Sequence, residues 1–194
     1  MKQNLRKKTS LKSYFKELAG LFSRIKARDL SGKNLQLDTA AYMAVEEIIL
    51  CRNRGCKVFI IGNGGSASLA SHFAVDLWKR AGVKAITFNE PTLLTCVAND
   101  CGYMDVFCRP LRMFAEKDDI VIAISSSGRS KNILQAVNAA RAKGCRIITL
   151  SGFSSNNPLS RLGNLNFYCP AFSYGYVETL HSFLCHFISD SLIS

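Results

Sequence analysis

Two stretches decide the fold: Val58-Phe59-Ile60-Ile61-Gly62-Asn63-Gly64-Gly65-Ser66-Ala67-Ser68 and Ile120-Val121-Ile122-Ala123-Ile124-Ser125-Ser126-Ser127-Gly128-Arg129-Ser130. Each is a short apolar run, then a loop of small residues, then a helix-spaced segment. An unbroken apolar run of this length suits a strand buried on both faces, because neither row of side chains meets water. Runs of the same kind occur at 85–88, 146–150 and 165–168. The spacing between and after them predicts helices over 67–80, 92–98, 104–115, 131–143, 157–162 and 177–192. Strands alternating with helices imply a mostly parallel sheet covered on both faces, an α/β three-layer sandwich.

Outward from this core, Leu11, Tyr14, Phe15, Leu18, Leu21, Phe22 and Ile25 recur at helical spacing, which predicts a helix over 11–30. A polar break, Ser31-Gly32-Lys33-Asn34, separates it from a second predicted helix over 37–51. The whole chain of 194 residues, 48% hydrophobic, is long enough for one well-formed core and too short for two large ones. No run approaches the roughly 18 apolar residues of a membrane-spanning helix. The basic start is not followed by an apolar segment, so it does not read as an export signal.

The net charge of +11 points first to nucleic acid. Its placement argues otherwise. Residues 1–34 hold ten Lys/Arg against Glu17 and Asp29, so they carry +8 and leave only +3 for the remaining 160 residues. A solvated face of an N-terminal helix accounts for this charge, and nucleic acid is not the expected partner. The expected organisation is a basic helical arm over 1–36 followed by one domain over 37–194. The eight cysteines include no Cys-x-x-Cys pair and no zinc-ribbon spacing, and several lie inside apolar runs. They are expected to be free thiols in a reducing cytoplasm.

In open α/β sheets, ligands bind at the carboxyl ends of strands, where both Gly/Ser loops would fall. Small residues let backbone approach a ligand, and helix N-termini present unpaired N–H groups to an anion. Ser66, Ser125, Ser126, Ser127 and Ser130 add hydroxyl donors with no carboxylate among them, which suits a phosphate. Four serines in six positions exceed what one helix cap needs. The first loop also fits Gly-x-Gly-x-x-Ala, with Glu90 placed where a ribose-binding acid would sit. A second serine loop is superfluous for a dinucleotide and apt for a monophosphate, so NAD is not the expected ligand. No Gly-Lys-Ser/Thr follows, which excludes a Walker A loop.

The ordered motifs Gly62-Asn63-Gly64-Gly65-Ser66-Ala67-Ser68, His72-Phe73-Ala74, Val97-Ala98-Asn99-Asp100-Cys101-Gly102-Tyr103 and Ala123-Ile124-Ser125-Ser126-Ser127-Gly128-Arg129-Ser130 resemble the sugar isomerase (SIS) domain, in its phosphoheptose isomerase branch. The resemblance runs from about residue 37 to the C-terminus. It implies a five-stranded parallel flavodoxin-like sheet and a homotetramer with active sites between subunits. It also implies conversion of sedoheptulose 7-phosphate to glycero-manno-heptose 7-phosphate, for surface-polysaccharide precursors. Ser66, Ser125, Ser126, Ser127 and Ser130 match phosphate-binding positions, and Asn63, Gly64 and Asp100 fall at substrate-binding ones.

Aldose–ketose isomerisation passes a proton between adjacent carbons through an enediol, which requires a base and an electrophile for the developing oxyanion. Only His72, His181 and His186 are histidines. His72 and Asp76 share a helix face at i, i+4. The resemblance implies a cluster of His72, Asp76, Glu178 and His186 that holds zinc or another divalent metal, with Asp76 as base and His186 as its acid/base partner. His181 is expected to face the core or a carbonyl. Three positions depart from the pattern: Asp76 stands where Glu is expected, Glu178 where Gln is expected, and Gly175 where a substrate-contacting Asp is expected. Glu178 and His186, eight residues apart, would lie about 12 Å from each other on one straight helix. Either Glu178 precedes the helix or the two come from different subunits. The departures leave open a second reading, a non-catalytic SIS module that binds a sugar phosphate or a protein such as a replication-initiation protein.

Overall fold

The computed structural model describes residues 10–193. Lys2, Arg6, Lys7 and Lys8 of the basic segment lie outside the described residues. The chain runs α1 (Leu11–Phe22), β1 (Lys26–Asp29), β2 (Asn34–Leu35), α2 (Leu37–Asn53), β3 (Lys57–Gly62), α3 (Gly65–Ala81), β4 (Lys84–Ile86) and α4 (Pro91–Cys101). After a 3-10 turn follow α5 (Cys108–Phe114), β5 (Ile120–Ser125), α6 (Lys131–Ala142) and β6 (Arg146–Ser151). A second 3-10 turn leads to β7 (Leu165–Tyr168) and α7 (Tyr174–Ser191). Among the described residues no helix is long and apolar enough to cross a membrane.

The strands form one sheet in the order β2-β1-β7-β6-β5-β3-β4. β4, β3, β5, β6 and β7 are mutually parallel, which is the expected five-stranded core. The period of two along each strand sorts its side chains into two layers. Val58 and Ile60 of β3 pack with α2, α3 and α7 through Ile48, Leu77 and Ile188. Phe59 and Ile61 face the other way, against α5 and α6 through Leu111, Ile133 and Val137. Because both faces are covered, every residue of β5 is buried, which explains its unbroken apolar run.

The expected helix over 11–30 ends early, at Phe22. Ser10 caps α1, its Oγ accepting from the Ser13 N–H at 3.1 Å. The helix stops at Ser23, whose hydroxyl donates to the Gly20 carbonyl at 3.0 Å. Residues 26–29 then pair antiparallel with β7, and β2 pairs antiparallel with β1, which widens the sheet to seven strands. β1 is paired on both sides, and the two-residue β2 forms the edge, a very short strand of the kind that limits pairing with other chains. Residues 26–35 thus belong to the same sheet as residues 57–168.

All eight cysteines are free, as expected. Burial raises the Cys51 and Cys169 thiols to about 12, and Cys145 to about 11, so they remain protonated packing groups. His181 resolves to the core as well. It is fully buried in α7, with Nε2 3.2 Å from the Ser151 carbonyl oxygen and Nδ1 unpartnered. Burial lowers its pKa from 6.5 to about 4, so the folded state holds it neutral. A depressed histidine pKa contributes no destabilisation above the unfolded value and a growing one as pH falls from 6.5 toward 4. Urea unfolding is therefore expected to show a loss of about 2 kcal/mol in the wild type between about pH 7.5 and about pH 5. That loss should be missing in His181→Leu; equal pH profiles for the two proteins would contradict this assignment.

Candidate active site

β3 and β5 are adjacent in the sheet, with Gly62 opposite Ile124. From β3 the chain steps outward to β4, whereas from β5 it proceeds to β6 on the other side. The two Gly/Ser loops leave the sheet at this switch point, where neighbouring connections diverge and open a crevice. The result is a cleft of about 230 Å³ lined by Asn63, Gly64, Gly65, Ser66, Ser125, Ser126, Ser127 and Ser130, together with Tyr174 and Glu178 from α7. A larger groove of about 620 Å³ lies on the outer side of α6, away from these loops.

The cleft has features that suit an anion. Helices α3 and α6 both begin at it; in α3 the Ser66 and Ala67 N–H groups already donate to the Asn63 and Gly64 carbonyls, and in α6 the Ile133 N–H donates to Asn132 Oδ1, so the helix ends contribute their positive dipole more than a full set of free N–H groups. Ser125 Oγ lies 3.3 Å from Ser130 Oγ and accepts the Gly128 N–H at 3.2 Å, which fixes the loop. Ser126 is 5% exposed, and its hydroxyl has no partner. A buried hydroxyl left unpaired is costly, and this one sits in the loop that lines the cleft.

The loop conformation depends on Gly128. Its φ is +61°, and a Cβ there would fall 1.9 Å from Asn157 Oδ1. Asn157 cannot give way, because its amide N–H groups donate to Ser151 Oγ, the Gly152 carbonyl and the Ser154 carbonyl, and its Oδ1 accepts from the Ser160 N–H. Asn157 has no sequence signal beyond its place before Pro158. Asn63, expected at the substrate, is tied across the cleft to Asn132 by reciprocal amide bonds of 2.9 and 3.0 Å. The Tyr103 hydroxyl donates to the same Asn63 Oδ1 at 3.0 Å. Tyr103 closes the motif that contains Asp100, and only the folded chain shows its role.

Asp100 is not at the cleft. It lies exposed near the end of α4, accepting from the Asn99 amide at 2.8 Å. Glu90 is the N-cap of α4, its Oε2 accepting the Leu93 N–H at 2.8 Å, and thus has a structural role in place of a ribose contact.

The histidine–carboxylate group forms between α3 and α7, which lie side by side and run in the same direction. His72 Nε2 and His186 Nδ1 each lie 3.6 Å from Asp76 Oδ2. The two imidazoles meet edge to face with centroids 5.2 Å apart. Further along, Arg80 Nη1 donates to Asp190 Oδ1 at 2.9 Å and clamps the helix pair. Asp76 and His186 therefore meet within one chain.

Glu178 does not join them. It is inside α7, which begins at Tyr174, and its carboxylate lies against Gly65 at the start of α3. His72 is seven residues, or about 10 Å, further along that helix. At Gly175, the space that a side chain would use is taken by the Tyr14 hydroxyl, which would stand 2.9 Å from a Cβ. Tyr14 is held there by stacking on Tyr176, with ring centroids 4.4 Å apart.

Two imidazoles and a carboxylate are donors of the kind that binds zinc. Their 3.6 Å spacings are close to the ~3.4 Å between neighbouring ligands of a tetrahedral ion with bonds of ~2.1 Å. The agreement is limited to these two spacings: among the described residues no group of three or more His, Cys, Asp or Glu is arranged to hold a metal ion, and Glu178 does not complete the set.

A family model for the SIS domain matches residues 13–152. The chain belongs to the SIS domain family. It is 32% identical over 191 residues to a phosphoheptose isomerase of Syntrophotalea carbinolica, covering 94% of this chain and 92% of that one. A phosphoheptose isomerase of Sodalis glossinidius is 38% identical over 140 residues, covering 69% and 72% of the two chains. Among solved structures, a phosphoheptose isomerase from Francisella tularensis superposes with a TM-score of 0.80 at 25% identity, over 94% of this chain and 95% of that one. The family match begins at residue 13, so it takes in most of α1 and the two added strands.

Gly128→Ala is expected to destabilise the protein by about 1–3 kcal/mol, from the forced φ and the collision with Asn157. It should also weaken inorganic phosphate binding by about tenfold or more. Wild-type phosphate affinity in a folded Gly128→Ala protein would show that the serine loop does not hold the anion.

Proposed function

We propose that this protein is a sugar-phosphate isomerase that converts sedoheptulose 7-phosphate to the aldoheptose 7-phosphate through an enediol. The observation that carries the reading is the carboxylate of Asp76, set between two imidazoles on the helix whose first turn opens the serine cleft. Phosphate held by Ser66, Ser125, Ser126, Ser127 and Ser130 would anchor one end of the substrate. The carbonyl end would then reach along α3 toward Asp76 and His186.

In this mechanism Asp76 removes the C1 proton of the ketose and returns it to C2. Its Oδ2 faces the imidazoles, which leaves Oδ1 for the substrate. Asp76 is only 14% exposed, so little water competes for the carboxylate. His186 carries a proton between the two substrate oxygens as the carbonyl moves from C2 to C1. His72 fixes the other side of Asp76. His72, Asp76 and His186 would hold a divalent ion such as zinc, which when bound supplies polarisation of the substrate oxygens.

The proposal includes a homotetramer. His72 and His186 are 61% and 46% exposed in one chain, and Val75, Trp78 and Phe183 stand exposed on the same two helices. A neighbouring copy would cover the apolar side chains and close the acid–base pair against water. Eight free thiols favour a cytoplasmic location, and an aldoheptose phosphate suits the supply of surface-polysaccharide precursors.

Purified protein supplied with zinc is expected to form aldose from sedoheptulose 7-phosphate. Asp76→Asn should lower kcat by about 100-fold or more with KM nearly unchanged. Ser126→Ala should instead raise KM. Sugar phosphate that binds without forming aldose would refute catalysis and favour the binding-module reading.

A further inference from the structure

We infer that Glu178 sets which anions the serine cleft accepts, favouring a phosphate that carries hydroxyl groups over a bare phosphate. This inference rests on the phosphate cleft described above. Every other polar side chain lining that cleft is uncharged: the Asn63 amide, the serine hydroxyls and the Tyr174 phenol. Glu178 is the exception, a carboxylate in the wall of an anion site.

Its position is specific. Gly65 is the first residue of α3, and a Cβ on it would fall 2.6 Å from Glu178 Oε2 and 2.7 Å from Oε1. Only glycine lets the carboxylate come this close to the positive end of the helix dipole, where an anion is favoured. Among the described residues no donor hydrogen-bonds to either oxygen, so the group keeps its acceptor capacity for a ligand. Glu178 also lines the adjoining groove of about 520 Å³, together with Gly175, Ser182 and His186. It therefore stands between the phosphate cleft and the acid–base pair.

A bare phosphate in the cleft meets like charge across a short, poorly screened distance and offers the carboxylate nothing in return. A sugar phosphate pointing its hydroxyl groups along α7 donates to Glu178 and offsets that repulsion. The preference comes from adding a penalty for the unwanted ligand as well as a contact for the wanted one.

Calorimetric titration of inorganic phosphate and of sedoheptulose 7-phosphate into wild type, Glu178→Gln and Glu178→Ala tests this. Glutamine keeps the shape and removes the charge; alanine removes both. Both variants are expected to bind inorganic phosphate about tenfold tighter than wild type. Sugar-phosphate affinity should change far less, so the preference for the sugar narrows by a similar factor. Unchanged or weaker phosphate binding in both variants would overturn the role of Glu178 while leaving the cleft intact. Failure of wild type and variants alike to bind either ligand would overturn the cleft reading, and this inference with it.

Discussion

The parallel pairing of β3 with β5 is the constraint on which the rest of the site depends. With Gly62 opposite Ile124, both strands end at one level, and their connections must leave in opposite directions across the sheet. That divergence brings two separate Gly/Ser loops to one crevice and aims two helix N-termini into it. The loops are 62 residues apart in sequence, and no local interaction would join them. The Asn63–Asn132 amide pair then ties the second loop's helix to the first loop. The crevice proposed to hold the phosphate thus follows from sheet topology, with serine hydroxyls lining it.

The second half of the site depends on helix packing. α7 lies along α3 in the same direction, joined at Asp76–His186 and at Arg80–Asp190. The shared core of Phe73, Leu77, Leu184 and Ile188 holds the pair against the sheet. Burying such side chains supplies roughly 1.5–3 kcal/mol each, far more than the exposed Arg80–Asp190 pair can. Apolar packing therefore sets where the carboxylate and imidazoles meet. Glu178, two turns before His186, falls by the same geometry beside Gly65 and the anion cleft.

The central sheet was legible because strands buried on both faces must be apolar throughout, as Ile120–Ser125 is. The serine loop was legible because its composition exceeds any capping need. β1 and β2 were not: four and two residues long and polar, they exist through tertiary pairing, β1 on β7 and β2 on β1. His72 and Asp76 could be paired from i, i+4 spacing, but the arrival of His186 at Asp76 is a tertiary event. The family resemblance implies Glu178 as a metal ligand, and the ~12 Å helix spacing from His186 already strains that reading; the structure sets it beside Gly65, a neighbour on α3 that spacing along α7 cannot show. Asp100 belongs to a recognisable motif, yet the structure bonds it to Asn99 on an exposed helix end; the hydroxyl of nearby Tyr103 is what reaches Asn63.

The proton path through Asp76 is tested most directly by following hydrogen exchange in deuterium oxide with sedoheptulose 7-phosphate, using proton NMR. With wild type, deuterium is expected at C2 of the aldose and at C1 of recovered ketose. With Asp76→Asn, binding of the sugar phosphate should persist while exchange at both carbons stops. Exchange at the wild-type rate in Asp76→Asn would contradict a base at this position.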